Sequence, residues 1–126
     1  LADAKGQQPP LVPEWSASAN ATWRTPAGPD RSAFVRLEGS YRSTTYGDLV
    51  NRAETGARML VNLRLGVEHE RYRVTLFAEN LFDDDHLQSI YADGDSASDP
   101  IAFGPVAYYS TLPRKRQFGI TASYNF

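Results

Sequence analysis

Apolar and polar residues alternate strictly over five stretches of the chain. Trp15, Ala17, Ala19, Ala21 and Trp23 share one side, with Ser16, Ser18, Asn20, Thr22 and Arg24 on the other. Ala33, Val35, Leu37, Gly39 and Tyr41 likewise oppose Phe34, Arg36, Glu38, Ser40 and Arg42. Met59, Val61, Leu63, Leu65 and Val67 oppose Leu60, Asn62, Arg64, Gly66 and Glu68. Tyr72, Val74, Leu76 and Ala78 oppose Arg73, Thr75, Phe77 and Glu79. Last, Phe118, Ile120, Ala122, Tyr124 and Phe126 oppose Gln117, Gly119, Thr121, Ser123 and Asn125. A period of two puts successive side chains on opposite faces of an extended strand, and no helical period competes. The pattern predicts an all-β chain with strands at about 14–24, 33–43, 57–68, 72–82 and 114–126. The 24 apolar-side positions carry no charge, where a blind draw from a chain 22% charged would place about five.

The connections alternate in length. Residues 25–32 (TPAGPDRS) read as a Pro/Gly/Asp turn and residues 68–71 as a tight one, whereas 43–56 is a longer polar loop. About 30 residues follow Phe82, opening on Asp83, Asp84 and Asp85, which read as the start of a solvated loop. Residues 1–13, with three prolines, also read as loop. Short turns on one side and long loops on the other are the habit of outer-membrane barrels.

A soluble β-sandwich would give the same alternation, so strand length and residue placement decide between them. Strands of about 10–11 residues exceed the five or six usual in soluble proteins. At about 3.3 Å per residue and a tilt near 45°, eleven residues rise about 25 Å, the height of an apolar membrane band. Trp15, Trp23, Tyr41 and Tyr72 lie near strand ends, where amphipathic rings form interfacial girdles. The opposite face carries Arg36, Glu38, Arg42, Arg64, Arg73 and Glu79, expected to line a hydrated lumen or to meet a plug. If Phe126 ends at the periplasm, the last strand runs inward, and counting back puts both short turns on the periplasmic side. The expectation is a transmembrane antiparallel β-barrel.

Composition narrows the classes that remain. The longest aliphatic run is Met59-Leu60-Val61, too short for a transmembrane helix. A formal charge of −2 lacks the basic excess of a nucleic-acid binder. Without cysteine there is neither a disulfide nor a thiolate metal site. Residues 1–10 have neither the basic start nor the apolar core of a signal peptide, so the chain is expected to be a fragment or a mature piece of an exported protein. The run 93–99 (DGDSASD) faintly resembles a calcium loop but lacks the sixth-position glycine and distal glutamate of an EF-hand. His69 and His86 are expected on opposite sides of the membrane, and no nucleophile–base pair or phosphate loop is visible. Neither an enzyme nor a cofactor or metal site is expected.

Two segments resemble a known family. Val74-Thr75-Leu76-Phe77-Ala78-Glu79-Asn80-Leu81-Phe82-Asp83 is similar to the ENLFD strand near the end of TonB-dependent outer-membrane receptors. The ending from Pro113 and Arg114 through Gly119 and Tyr124 to Phe126 resembles their last strand, and Pro10, Pro13, Glu14 and Trp15 their proline-marked start of an earlier inward strand. His86 stands where that family often has tyrosine. The resemblance covers essentially the whole chain. It implies the last five strands of a 22-stranded barrel in the bacterial outer membrane, within a receptor importing a scarce nutrient such as a metal chelate, vitamin or glycan. Phe118, Ile120, Ala122, Tyr124 and Phe126 then form the outer-membrane assembly signal, and Phe126 also packs at the interface. Implied partners are outer-membrane lipid and lipopolysaccharide, the remaining barrel and its plug, the barrel assembly machinery, TonB through an N-terminal region, and a small-molecule ligand. A soluble carbohydrate-binding or adhesion sandwich and a passive porin-like barrel are the alternatives.

Overall fold

The structure, a computed structural model, describes residues 5–93 and 107–126. Seven strands form in chain order: β1 (Ser16–Pro26), β2 (Arg31–Arg42), β3 (Arg58–His69), β4 (Tyr72–Glu79), β5 (Ser89–Asp93), β6 (Ala107–Thr111) and β7 (Gln117–Tyr124). β1, β2, β3, β4 and β7 make one antiparallel sheet in that order, and β5 pairs with β6 alone. Two compact units result. One is the large sheet, from residues 17–41, 59–84 and 114–126; the other is built, among the described residues, from 5–16, 42–58, 85–93 and 107–113.

In the sheet unit, antiparallel order gathers the ends of β2 and β4 and the starts of β1, β3 and β7 along one border, here the loop end. The opposite border, the turn end, carries the two short connections. Gly28 (φ 115°) and Asp30 (φ 59°) make the β1–β2 turn, closed by the Ala27 amide donating to the Arg31 carbonyl at 3.0 Å. Glycine enters the left-handed region without steric cost, and aspartate enters it more readily than most residues. β3 and β4 are joined only by Glu70 and Arg71.

Register converts the alternation into rows. Leu65, Leu76 and Ile120 lie side by side across β3, β4 and β7; Val67, Val74 and Ala122 form the next such row, and Leu63, Ala78 and Phe118 another. Between them run Gly66–Thr75–Thr121 and Glu68–Arg73–Ser123 on the other face. The apolar rows are bare: Leu76 is 53% and Ile120 66% exposed, and only Val61 and Ala78 among the described hydrophobic residues are buried. A soluble sheet stabilises itself by covering such a face, at about 25 cal/mol per Å² of apolar area removed from water. Among the described residues that driving force is unspent. β1 and β7 are the edges of the sheet, so the barrel is not closed by these five strands.

Three expectations differ from the structure. β4 stops at Glu79, not near residue 82, because Asn80 turns left-handed (φ 51°) and Asp83 does so again (φ 54°). β7 spans Gln117–Tyr124 rather than residues 114–126. The connection after Phe82 is not plain loop: it carries the β5–β6 hairpin, whose Tyr91 and Tyr109 are cross-strand partners with rings stacked at 5.4 Å. Tyr108 and Tyr109 carried the β-propensity signal for β6.

Candidate functional site

The polar face of the sheet is a wall of interleaved charges. Glu68 of β3 faces Arg73 of β4 in register and accepts from it at 2.9 Å and from Arg24 of β1 at 3.1 Å. Further along, Glu38 of β2 holds Arg36 at 2.7 Å and Arg64 of β3 at 3.0 Å, and Arg64 reaches Glu79 of β4 at 3.8 Å. Arg24, Arg36, Arg64 and Arg73 meet Thr22, Phe34, Glu68 and Thr75 around a cavity of about 450 Å³. Four guanidinium groups against Glu38, Glu68 and Glu79 leave one formal positive charge. Most of these side chains are a third exposed or more, so each pair contributes about 0–1 kcal/mol. Their role is to make a wet, near-neutral surface, not to hold the fold.

Two aromatic rings interrupt that wall. The Phe34 ring lies over Gly66 of β3, and the Phe77 ring over its register partner Gly119 of β7. A side chain at either glycine would occupy the ring's place, and a Cβ at residue 66 would also come 2.6 Å from the Val74 carbonyl oxygen. The rings cover backbone that glycine leaves bare. The sequence held the signal: phenylalanine in the polar phase of one strand and glycine in the polar phase of the next.

At the loop end, Asn80 ties three segments together. It is 4% exposed. Its side-chain amide donates to the carbonyls of Asp84 (2.9 Å) and Arg114 (3.0 Å), and its oxygen accepts from the Asp84 amide at 2.8 Å. Its own amide donates to the Asn62 side chain at 3.0 Å. The acidic run that follows is therefore more than a solvated start of a loop. The Asp83 carboxylate accepts from the Arg116 amide (2.9 Å) and that of Asp84 from the Met59 amide (2.9 Å), supplying acceptors to amides just before β7 and at the start of β3.

The second unit has its own polar core. Thr45 and Thr55 are buried hydroxyl to hydroxyl at 3.1 Å. Gly47 lies so close under β5 that a Cβ would meet the Ile90 carbonyl oxygen at 2.8 Å. Beside it Asp48, 9% exposed, accepts from the Arg52 amide at 2.8 Å and the Tyr108 hydroxyl at 3.1 Å and pairs with the Arg52 guanidinium at 3.4 Å. Burial alone would raise its pKa. The Arg52 amide, the Tyr108 hydroxyl and the Arg52 charge outweigh it and hold the carboxyl below its ordinary value. Arg42 falls in this unit, and its guanidinium donates to the Gln88 carbonyl at 2.6 Å.

The remaining residues singled out from sequence fall as follows. Arg36, Glu38, Arg64, Arg73 and Glu79 are brought together on the wall. Trp23 and Tyr124 are exposed at the turn end, where Tyr72 is register partner of Tyr124 and stacks on His69 at 4.9 Å; Tyr41 lies near the loop end of β2, and Trp15 is exposed just before β1. Phe118, Ile120 and Ala122 belong to the apolar rows, and Phe126 is fully exposed with its ring against Tyr124 at 5.3 Å. The His86 ring lies over Gly56. Within 93–99, residues 94–99 lie outside the described residues. Among the described residues no group of three or more His, Cys, Asp or Glu is placed to hold a metal ion.

Against known families, the model of the TonB dependent receptor-like β-barrel matches residues 1–81. The match runs through β1 to β4 and ends one residue past Asn80.

Proposed function

Since this chain belongs to the TonB dependent receptor-like β-barrel family, whose role is reception and transport at the bacterial outer membrane and which is not an enzyme class, we propose that it is part of a receptor importing a scarce nutrient: a metal chelate, vitamin or glycan. The apolar rows face lipid and the charged wall faces the lumen, where it meets a plug and lets a hydrated ligand pass. These strands are the last five of a 22-stranded barrel, with the turn end periplasmic and the loop end extracellular. Trp15 and Tyr41 mark the outer interface; Trp23, Tyr72 and Tyr124 mark the inner one. Energy comes from TonB, engaged by another part of the protein. Phe118, Ile120, Ala122, Tyr124 and Phe126 are read by the barrel assembly machinery.

One observation carries this reading: the uncharged face is bare while the opposite face is covered in ion pairs. A sandwich would have buried the first and exposed the second.

The test places arginine on each face. Leu76→Arg sits in a lipid-facing row and should lower barrel stability by about 2–4 kcal/mol. On a water-facing surface the change would stay within about 0.5 kcal/mol. Thr121→Arg, on the other face of β7, is the control, since Thr75 already lies among four arginines. Equal effects on the two faces would end the membrane assignment.

A further inference from the structure

Arg42 is the last residue of β2 and Arg58 the first of β3. Residues 58–62 precede the register of β3 with β4, which begins at Leu63, so their partner is β2. That pairing keeps one offset along its length. Beyond β2, Tyr46 bridges Glu54 and the Thr55 amide donates to the Thr45 carbonyl at 3.0 Å, and at the far end Phe34 lies over Gly66. The same offset sets Arg42 directly opposite Arg58. Like charges in direct opposition repel.

No carboxylate relieves this pair. Among the described half-buried arginines, Arg64 takes Glu38 at 3.0 Å and Glu79 at 3.8 Å, whereas Arg42 and Arg58 form no ion pair. Arg42 gives one Nη to the Gln88 carbonyl at 2.6 Å. The Nε of each arginine is buried without a hydrogen-bond partner. Buried donors are nearly always satisfied, and two of them on facing cations call for an anionic acceptor. Guanidinium forks bind carboxylate and phosphate bidentately, so two forks side by side suit one shared oxyanion.

We propose that Arg42 and Arg58 form a binding site for an oxyanion, a carboxylate or a phosphate, held between the two guanidinium groups. The site rests on this geometry and not on the membrane reading. Its occupant is free phosphate or the same kind of group carried by an organic solute.

The intact protein containing this chain is purified in maltoside micelles at low ionic strength and titrated by calorimetry with inorganic phosphate, glycerol 3-phosphate and succinate. At least one should bind, and R42Q or R58Q should weaken it about tenfold or more. Arg31→Gln, at an exposed arginine of β2, should leave binding unchanged. Inorganic phosphate binding at least as tightly as the other two identifies the free ion as occupant; the reverse identifies a carried group. As a second readout, the anion that binds should raise the urea midpoint of the native protein and leave that of R58Q where it was. No binding by the native protein, binding by R42Q and R58Q equal to native, or equal stabilisation of R58Q overturns the site. The membrane assignment is read separately, by arginine at residue 76.

Discussion

Asn80→Ala is expected to be among the most damaging single changes in the sheet unit. The side chain makes three hydrogen bonds, two as donor and one as acceptor, each worth about 0.5–1.5 kcal/mol. Its φ of 51° adds about 1 kcal/mol once a residue without asparagine's local hydrogen bonding must hold it. Water can reach the freed carbonyl of exposed Arg114, which places the total nearer 3 than 5 kcal/mol. Asn80→Gly relieves the backbone but not the bonds, and should lose about 2–3 kcal/mol. Asn80→Asp keeps the acceptor for the Asp84 amide, loses both donors, and adds a carboxylate beside Asp83 and Asp84; it should resemble alanine more than glycine. The assay is urea unfolding of the purified barrel in micelles, paired with hydrogen exchange at the Asp84 and Arg116 amides. Exchange at both should accelerate even where the global change is small, because Asn80 holds Asp84 directly and Arg116 through the turn carrying Asp83. A loss under 1 kcal/mol for alanine, with exchange unaltered at both amides, would refute the junction.

Gly119→Ala should cost about 1–2 kcal/mol and be rescued by Phe77→Ala, since the three nearest atoms are all of the Phe77 ring; Gly66→Ala should not be rescued by Phe34→Ala, because the Val74 carbonyl also blocks it. Double-mutant unfolding cycles read both, and equal rescue would contradict the geometry. For Asp48 the folded pKa lies below the ordinary 3.8, so its contribution is fully present above that value and fades as pH falls through the lower folded one. Exchange protection of the Arg52 amide should therefore drop in that acid range in the native protein and be low throughout in Asp48→Ala, which lacks the acceptor; protection unchanged by acid would remove the lock. Deleting Phe126 should slow surface appearance of the receptor, followed by protease accessibility, more than it lowers the urea midpoint of barrel already inserted, and a normal insertion rate would leave Phe126 only a packing role.

The sheet was legible because alternation is the whole of its code. Each row of the observed register, such as Leu65–Leu76–Ile120, joins residues already in phase within their own strands. Turn chemistry at Gly28 and Asp30 marked the first hairpin equally plainly. The charged wall was legible residue by residue, but its pairing was not: nothing in one sequence sets Glu68 between Arg24 and Arg73. Asn80 was read as part of a family signature without its physics, since its partners at Asn62 and Arg114 are remote in sequence. The β5–β6 hairpin was missed because two five-residue strands flanked by an Asp-rich stretch look like polar loop. Arg42 keeps the alternation as the last residue of β2, but its bond to the Gln88 carbonyl could not be read from it.

The two-residue link between β3 and β4 has a kinetic consequence. These strands meet across the shortest possible closure, whereas β4 meets β7 only after the chain has travelled from Asn80 to Arg116. Closure entropy rises by about 0.6 kcal/mol per doubling of length, so the second pairing begins some 2–3 kcal/mol behind the first. The β3–β4 hairpin is thus the natural nucleus, and β7 docks late. Asn80 sits where that delay is made up. By gripping both Asp84 and Arg114 it staples the base of the long excursion, so that once the staple forms, each further rung between β4 and β7 is a local event and the sheet closes as a zipper.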